Sequence, residues 1–303
     1  MQRSLHNFMQ VGIVHFMAYP HAKSSEEYVS TISSIIEDDF FGAIEITSAP
    51  DEATAEKASR LLESSGVTVG FSAHPILLAN QANLNAMDEA ERQRAVELVK
   101  GGIDHAYQFG AQNLGLLSGT DPGPEHREKA VGYLIESLQE ICKYARSKGN
   151  LEISLELFDH ETTFFRLLGP TRLGVEVAQE VRNVDPSFGL MIDLSHLPML
   201  GESTEGALAR TRDYINHAHM GNCLISDPKD PLYGDRHPRF GYKGSEIDVP
   251  QLTEYLRALL DIGYLEEGKD RVLAFEIKPA PNESSKAIIA QAKRTLRAAW
   301  QRV

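Results

Sequence analysis

Four residues of metal-ligating type close short apolar runs in the second half of the chain. Glu156 ends Leu-Glu-Ile-Ser-Leu-Glu, Asp193 ends Met-Ile-Asp, His219 ends His-Ala-His, and Glu276 ends Val-Leu-Ala-Phe-Glu. Side chains alternate along a strand, so Leu151, Ile153 and Leu155 share one face and leave Ser154 and Glu156 on the other. Leu273, Phe275 and Ile277 do the same around Glu276. A carboxylate at the end of an apolar strand is costly to desolvate unless an opposite charge offsets the loss, and a divalent cation does so. Three carboxylates and one imidazole make a mixed oxygen and nitrogen set, suited to Mn²⁺ foremost and also to Mg²⁺, Co²⁺ or Zn²⁺. The lack of thiolates among them counts against a purely structural zinc site. Any one of the four alone could be a solvated carboxylate or a hydrogen-bonded histidine. Their joint arrival on adjacent strands points to a metal centre.

Bringing four strand ends to one rim requires parallel strands. Eight apolar runs read as strands: Val11–Phe16, Gly42–Thr47, Val67–Ala73, Asn113–Ser118, Leu151–Leu157, Phe188–Asp193, Ile215–Met220 and Val272–Lys278. Segments of helical period separate them, as with Ala95, Val99, Ile103 and Ala106 on one face, or Val131, Leu134, Leu138, Cys142 and Ala145 on another. Gly66, Gly110 and Gly149 stand where helices must end before the next strand. This alternation predicts an α/β fold, a single (β/α)8 TIM barrel spanning residues 1–303. Long connections are expected from His74 to Met87 and from Gly221 to Asp248, at the strand ends where barrels build their active sites.

The formal charge of −13 disfavours nucleic acid, whose binders present a basic face. Only Cys142 and Cys223 occur, with no CxxC pair. No run approaches the roughly 18 apolar residues of a membrane span, and the first ten residues lack a signal-peptide core. The expectation is a cytoplasmic protein with no membrane partner.

The motifs Ser-Leu-Glu156, Asp193-Leu-Ser-His196, His217-Ala-His219 and Ala-Phe-Glu276, with the glycine-rich stretch Gly241–Asp248, resemble the xylose-isomerase-like TIM barrel superfamily. That group includes ketose 3-epimerases and inositol-catabolic isomerases. The resemblance covers nearly the whole chain. It implies that Glu156, Asp193, His219 and Glu276 hold a divalent metal, and that His196 and a basic residue after the seventh strand, Arg236 or else Arg239, hold substrate oxygens. It also implies that Glu156 and Glu276 exchange protons with a small carbohydrate through an enediolate, and that the chain could form a homo-oligomer. The same stabilisation would serve a lyase, dehydratase or decarboxylase acting on an oxidised sugar or glycoside. A nuclease built on this barrel is disfavoured by charge and by the expected lack of a full further ligand set. A sugar-binding barrel without turnover is the non-enzymatic alternative.

Other residues carry two readings each. His15 and His74, at the ends of the first and third strands, could bind substrate hydroxyls or serve as hydrogen-bonded structure. Glu45 interrupts the second strand as a barrel-interior or mouth residue, or as partner to a buried Lys or Arg. Asp159 and His160 could extend the site or support its ligands, and Glu161 is the nearest candidate for a further glutamate. Lys278 is set outside the catalytic group.

Overall fold

The computed structural model describes residues 3–303. The apolar runs form β1 (Gln10–Ile13), β2 (Ala43–Ile46), β3 (Thr68–Ser72), β4 (Asn113–Leu117), β5 (Glu152–Glu156), β6 (Gly189–Asp193), β7 (Ile215–Gly221) and β8 (Val272–Glu276). All pair in parallel in the order β1-β8-β7-β6-β5-β4-β3-β2. At the remaining seam the Gly42 N–H donates to the Val11 carbonyl at 3.0 Å, and Val14 bridges to Glu45. The result is a nearly closed barrel of alternating strands and helices, as the sequence predicts.

Local chemistry sets the helix boundaries. Ser24 and Glu27 form a reciprocal capping box at the start of Ser25–Ile36, and Asp51 and Asp88 accept from Thr54 and Glu91 at the next two long helices. Gly66 stops its helix in the left-handed region at φ 69°, which costs a residue without Cβ little. Ala95, Val99, Ile103 and Ala106 are fully buried between sheet and helix, as are Leu134, Leu138, Cys142 and Ala145. Val131 is only partly buried, at the edge of that face. Burial of each large aliphatic side chain contributes about 1.5–3 kcal/mol, so this ring of contacts holds the strands in place.

The strands differ most from expectation at β1, which ends at Ile13 while His15–Ala18 winds into a helical turn. The connection from His74 likewise begins as a helix, His74–Ala79. Between β7 and the helix Val249–Asp261 there is no regular element, apart from a bridge between Leu224 and Gly234. No helix among the described residues is long and apolar enough to cross a membrane.

Candidate metal centre and active site

Strand register delivers the four predicted ligands to one place. Asp193 pairs with His219 across β6 and β7, and Gly221 pairs with Glu276 across β7 and β8. Asp193, Glu156, His219 and Glu276 each offer one ligand atom, all within 4.8 Å of one another. Asp193 is held rigidly. Its Oδ1 accepts the N–H groups of Ser195 (2.9 Å) and Gly221 (2.8 Å), and its Oδ2 accepts the Ser195 hydroxyl at 2.6 Å. A Cβ at position 221 would lie 2.6 Å from Asp193 Oδ2, so glycine there makes room for the carboxylate.

Glu156 has unsatisfied bonding capacity. His74 Nε2 lies 2.7 Å from its Oε2, and His196 Nδ1 lies 3.4 Å from its Oε1. Neither contact has hydrogen-bond alignment: Glu156 Oε1 and His74 Nε2 are buried without a hydrogen-bond partner. Buried atoms in this state cost ~1–3 kcal/mol each, and a ligand or cation that they could hold would remove the penalty. The donor set fits a divalent metal in oxygen and nitrogen chemistry.

Beside this group is a second one. Asp193, His196 and His237 also offer ligand atoms within 4.8 Å of one another. Asp235 adds a carboxylate, with Oδ1 2.6 Å from His237 Nε2 and 3.4 Å from His196 Nε2. Asp235 Oδ1 and His196 Nε2 are again buried without a hydrogen-bond partner. His237 adopts φ 50°, a left-handed conformation uncommon outside glycine. This second group shares Asp193 with the first and lies beyond the four strand-end ligands expected from the sequence. Asp235 and His237 lie in a loop with no strand period to place them.

The charges balance internally. Burial alone would push His219 down, but the carboxylates of Glu45 and Glu276 outweigh it and hold its pKa well above the usual imidazole range. Burial likewise opposes, and the charges of Asp235, Glu156 and Asp193 overcome, so that His196 is raised. His237 is raised to about 10 against its burial by Asp235, Glu276 and Asp193. Burial would raise Asp235 and Glu45, but the first is held well below its ordinary value by His237 and His196, and the second by His219 and His217. Protonated imidazoles here compensate buried carboxylates, the same task a bound cation would perform.

Above the ligands lies a cavity of about 180 Å³ lined by His74, Arg236, His237, Glu276 and Lys278 and walled by Phe158 and Phe164. A larger cavity of about 420 Å³ opens at the amino-terminal ends of the strands, where Glu45 and His217 line it. The smaller one is the candidate substrate chamber, because it adjoins the unsatisfied groups at the strand carboxyl ends.

The predicted residues are distributed unevenly around it. His74 and His196 join the ligand cluster through Glu156, and exposed Arg236 reaches the chamber. Arg239 instead pairs with Glu283 at 3.0 Å. His15 lies apart from these clusters, its Nε2 2.8 Å from Thr31 Oγ1 and its ring edge-on to Tyr28. The helical turn that begins at His15 directs it there, and burial pushes its pKa down to about 4. Asp159 accepts from the backbone N–H groups of Thr162 and Phe164 and so folds its own loop, while Glu161 is exposed. His160 Nδ1 is 2.6 Å from the Arg166 carbonyl. Asp235 and His237 stand in the long loop after β7, where no strand alternation marks them. Their only signal was the Asp-Arg-His spacing within the long loop.

A family model described as xylose isomerase-like TIM barrel matches residues 36–299, and the chain belongs to that family. No curated protein matches the sequence. Among solved structures, L-ribulose 3-epimerase is 17% identical with a TM-score of 0.75, covering 97% of this chain and 96% of that one. The IolI protein with a bound zinc atom is 16% identical at a TM-score of 0.72, with 97% and 99% covered. The 3-keto-D-glucoside 4-epimerase YcjR from E. coli is 14% identical at 0.69, with 95% and 99% covered. At these identities the likeness is one of fold.

Proposed function

We propose that this chain is a divalent-metal-dependent isomerase or epimerase acting on a keto sugar or related polyol. The observation that carries the reading is the convergence of Glu156, Asp193, His219 and Glu276 at the barrel mouth, with Glu156 Oε1 buried and unpartnered and its carboxylate against His74, which lines the chamber. The names of the structural neighbours, epimerases of tagatose, ribulose and a 3-ketoglucoside, agree with it. A cation held by these four residues would polarise a substrate carbonyl and its neighbouring hydroxyl, making the C–H between them acidic.

Within that reading Glu156 and Glu276 reach the substrate from β5 and β8, with β6 and β7 between them. One removes the proton from carbon and the other, carrying a proton, returns one to the opposite face. Asp193, locked by three hydrogen bonds, is suited to holding rather than to proton transfer. Arg236, His74 and His196 bind substrate oxygens, each of the two histidines with a buried Nε2 that has no hydrogen-bond partner in the protein, and the walls from Phe158 and Phe164 limit water. His15 carries no role in the chamber. The mixed oxygen and nitrogen donor set suits Mn²⁺, our first candidate, and also Mg²⁺, Co²⁺ or Zn²⁺, the last being the metal bound in the IolI structure.

The test is metal analysis followed by NMR of ketopentoses and ketohexoses in D₂O. Deuterium entering at carbon beside the carbonyl, with the product otherwise unchanged in mass, is expected. Release of CO₂ or of an aglycone from an oxidised glycoside would replace this reading with a lyase. A second reading concerns metal number. Unpartnered His196 Nε2 and Asp235 Oδ1, with His237 and Asp193, support a second cation beside the first. Two metal equivalents per chain, reduced to one by Asp235→Asn, are the expected result; one equivalent in both proteins would rule it out.

A further inference from the structure

Beneath the mouth, a second carboxylate and imidazole group crosses the barrel interior. Glu45 on β2 reaches β7 on the far side, where its Oε1 lies 2.8 Å from His217 Nε2 and its two oxygens lie 3.1 and 3.0 Å from His219 Nε2. The other nitrogen of His219, Nδ1, lies 2.8 Å from Glu276 Oε2 at the mouth. All three residues of the lower group are buried. The backbone makes room for it: Gly70 pairs with Glu45 across β2 and β3, and a Cβ there would lie 2.8 Å from Glu45 Cγ. A glycine inside a strand weakens it, and a buried carboxylate is costly, so the arrangement opposes stability in two ways unless the contact it permits compensates.

Glu45, His217 and His219 also have the spacing of a metal site. Their bonding argues for a different role. No buried side-chain nitrogen or oxygen of these three lacks a hydrogen-bond partner, whereas Glu156, His74, His196 and Asp235 at the mouth each have one that does. The lower group is satisfied and the upper one is not.

We propose that Glu45 is a positioning residue that aims His219 from beneath. Its carboxylate accepts the Nε2–H of His219, which fixes the ring plane and leaves Nδ1, on the mouth side, as the nitrogen that holds a cation. His217 donates to the same carboxylate and steadies it. This rests on the reading of the mouth as a metal centre. Outer carboxylates that orient a ligating histidine typically contribute ~10–100-fold in metal affinity.

Two measurements test the assignment. Co²⁺ titration against a chelating indicator is expected to give Glu45→Gln an affinity ~10–100-fold below wild type, with His217→Gln affected less and the metal-free melting temperature reported alongside. In the Zn²⁺-loaded wild-type protein, ¹⁵N NMR of the imidazoles is expected to place the His219 proton on Nε2. This second readout decides the question even if Glu45→Gln fails to fold. An affinity of Glu45→Gln within twofold of wild type, or a His219 proton on Nδ1 in the loaded protein, overturns the proposal while leaving the metal reading intact. Wild-type protein that takes up no Co²⁺ overturns both.

Discussion

The two ends of the barrel axis hold the same chemical groups in opposite states. At the amino-terminal end, Glu45 is fully used by His217 and His219. At the carboxyl-terminal end, Glu156, His74, His196 and Asp235 each leave a buried atom unpaired. Both ends carry cavities, and the one at the satisfied end is the larger. Volume therefore does not separate the two groups; what separates the Glu45 group from the Glu156 group is that only the latter holds buried atoms without a partner. A satisfied buried network confers rigidity, while an unsatisfied one is free energy available to a ligand.

Breaking the mouth should have the largest effect. Glu156→Gln and Glu276→Gln are each expected to lower the rate of substrate deuterium exchange by ~10²–10⁴-fold or more, with melting temperature little changed. His15→Ala, outside both clusters, should slow exchange far less. Full exchange in either glutamate variant would remove the proton-transfer roles. At the other end, Gly70→Ala drives a methyl group against Glu45 Cγ. It is expected to cost about 1–3 kcal/mol in denaturant unfolding and to loosen metal binding, without touching the chamber.

Acidification separates both ends from the rest of the fold. His15 is held neutral with a pKa of about 4, below its unfolded value of 6.5. The unfolded chain therefore binds its proton first, so this contribution is complete above pH 6.5 and is lost as pH falls toward 4, by at most about 3 kcal/mol. Thermal melts across that window should show wild type losing stability relative to His15→Gln as pH falls from 6.5 to 4, and parallel curves would remove the effect. The smallest effect is expected from Arg236→Ala, with KM for the substrate raised ~10-fold and kcat nearly retained, the pattern of lost uniform binding. An unchanged KM would place Arg236 outside substrate contact.

The strand-end residues were legible because strand parity is local. Once Leu151, Ile153 and Leu155 face outward, Glu156 must face inward, and the same count places His219 and Glu276. The barrel follows from the same alternation repeated along the chain. His15 shows the limit of that logic, since β1 ends three residues earlier than expected and His15 starts a helical turn instead.

What the sequence determined by itself was the barrel and the four strand-end residues Glu156, Asp193, His219 and Glu276 that meet at its mouth, because both arise from periodicities a few residues long. What only the tertiary structure decided was how those residues are supported. Glu45 and His219 are 174 residues apart and meet across the interior. Asp235 and His237 come from a loop without a period, placed by packing and by a left-handed backbone at His237. The Glu45–His219 contact has no local sequence signal, since it depends on which strands face one another when the sheet curls into a barrel.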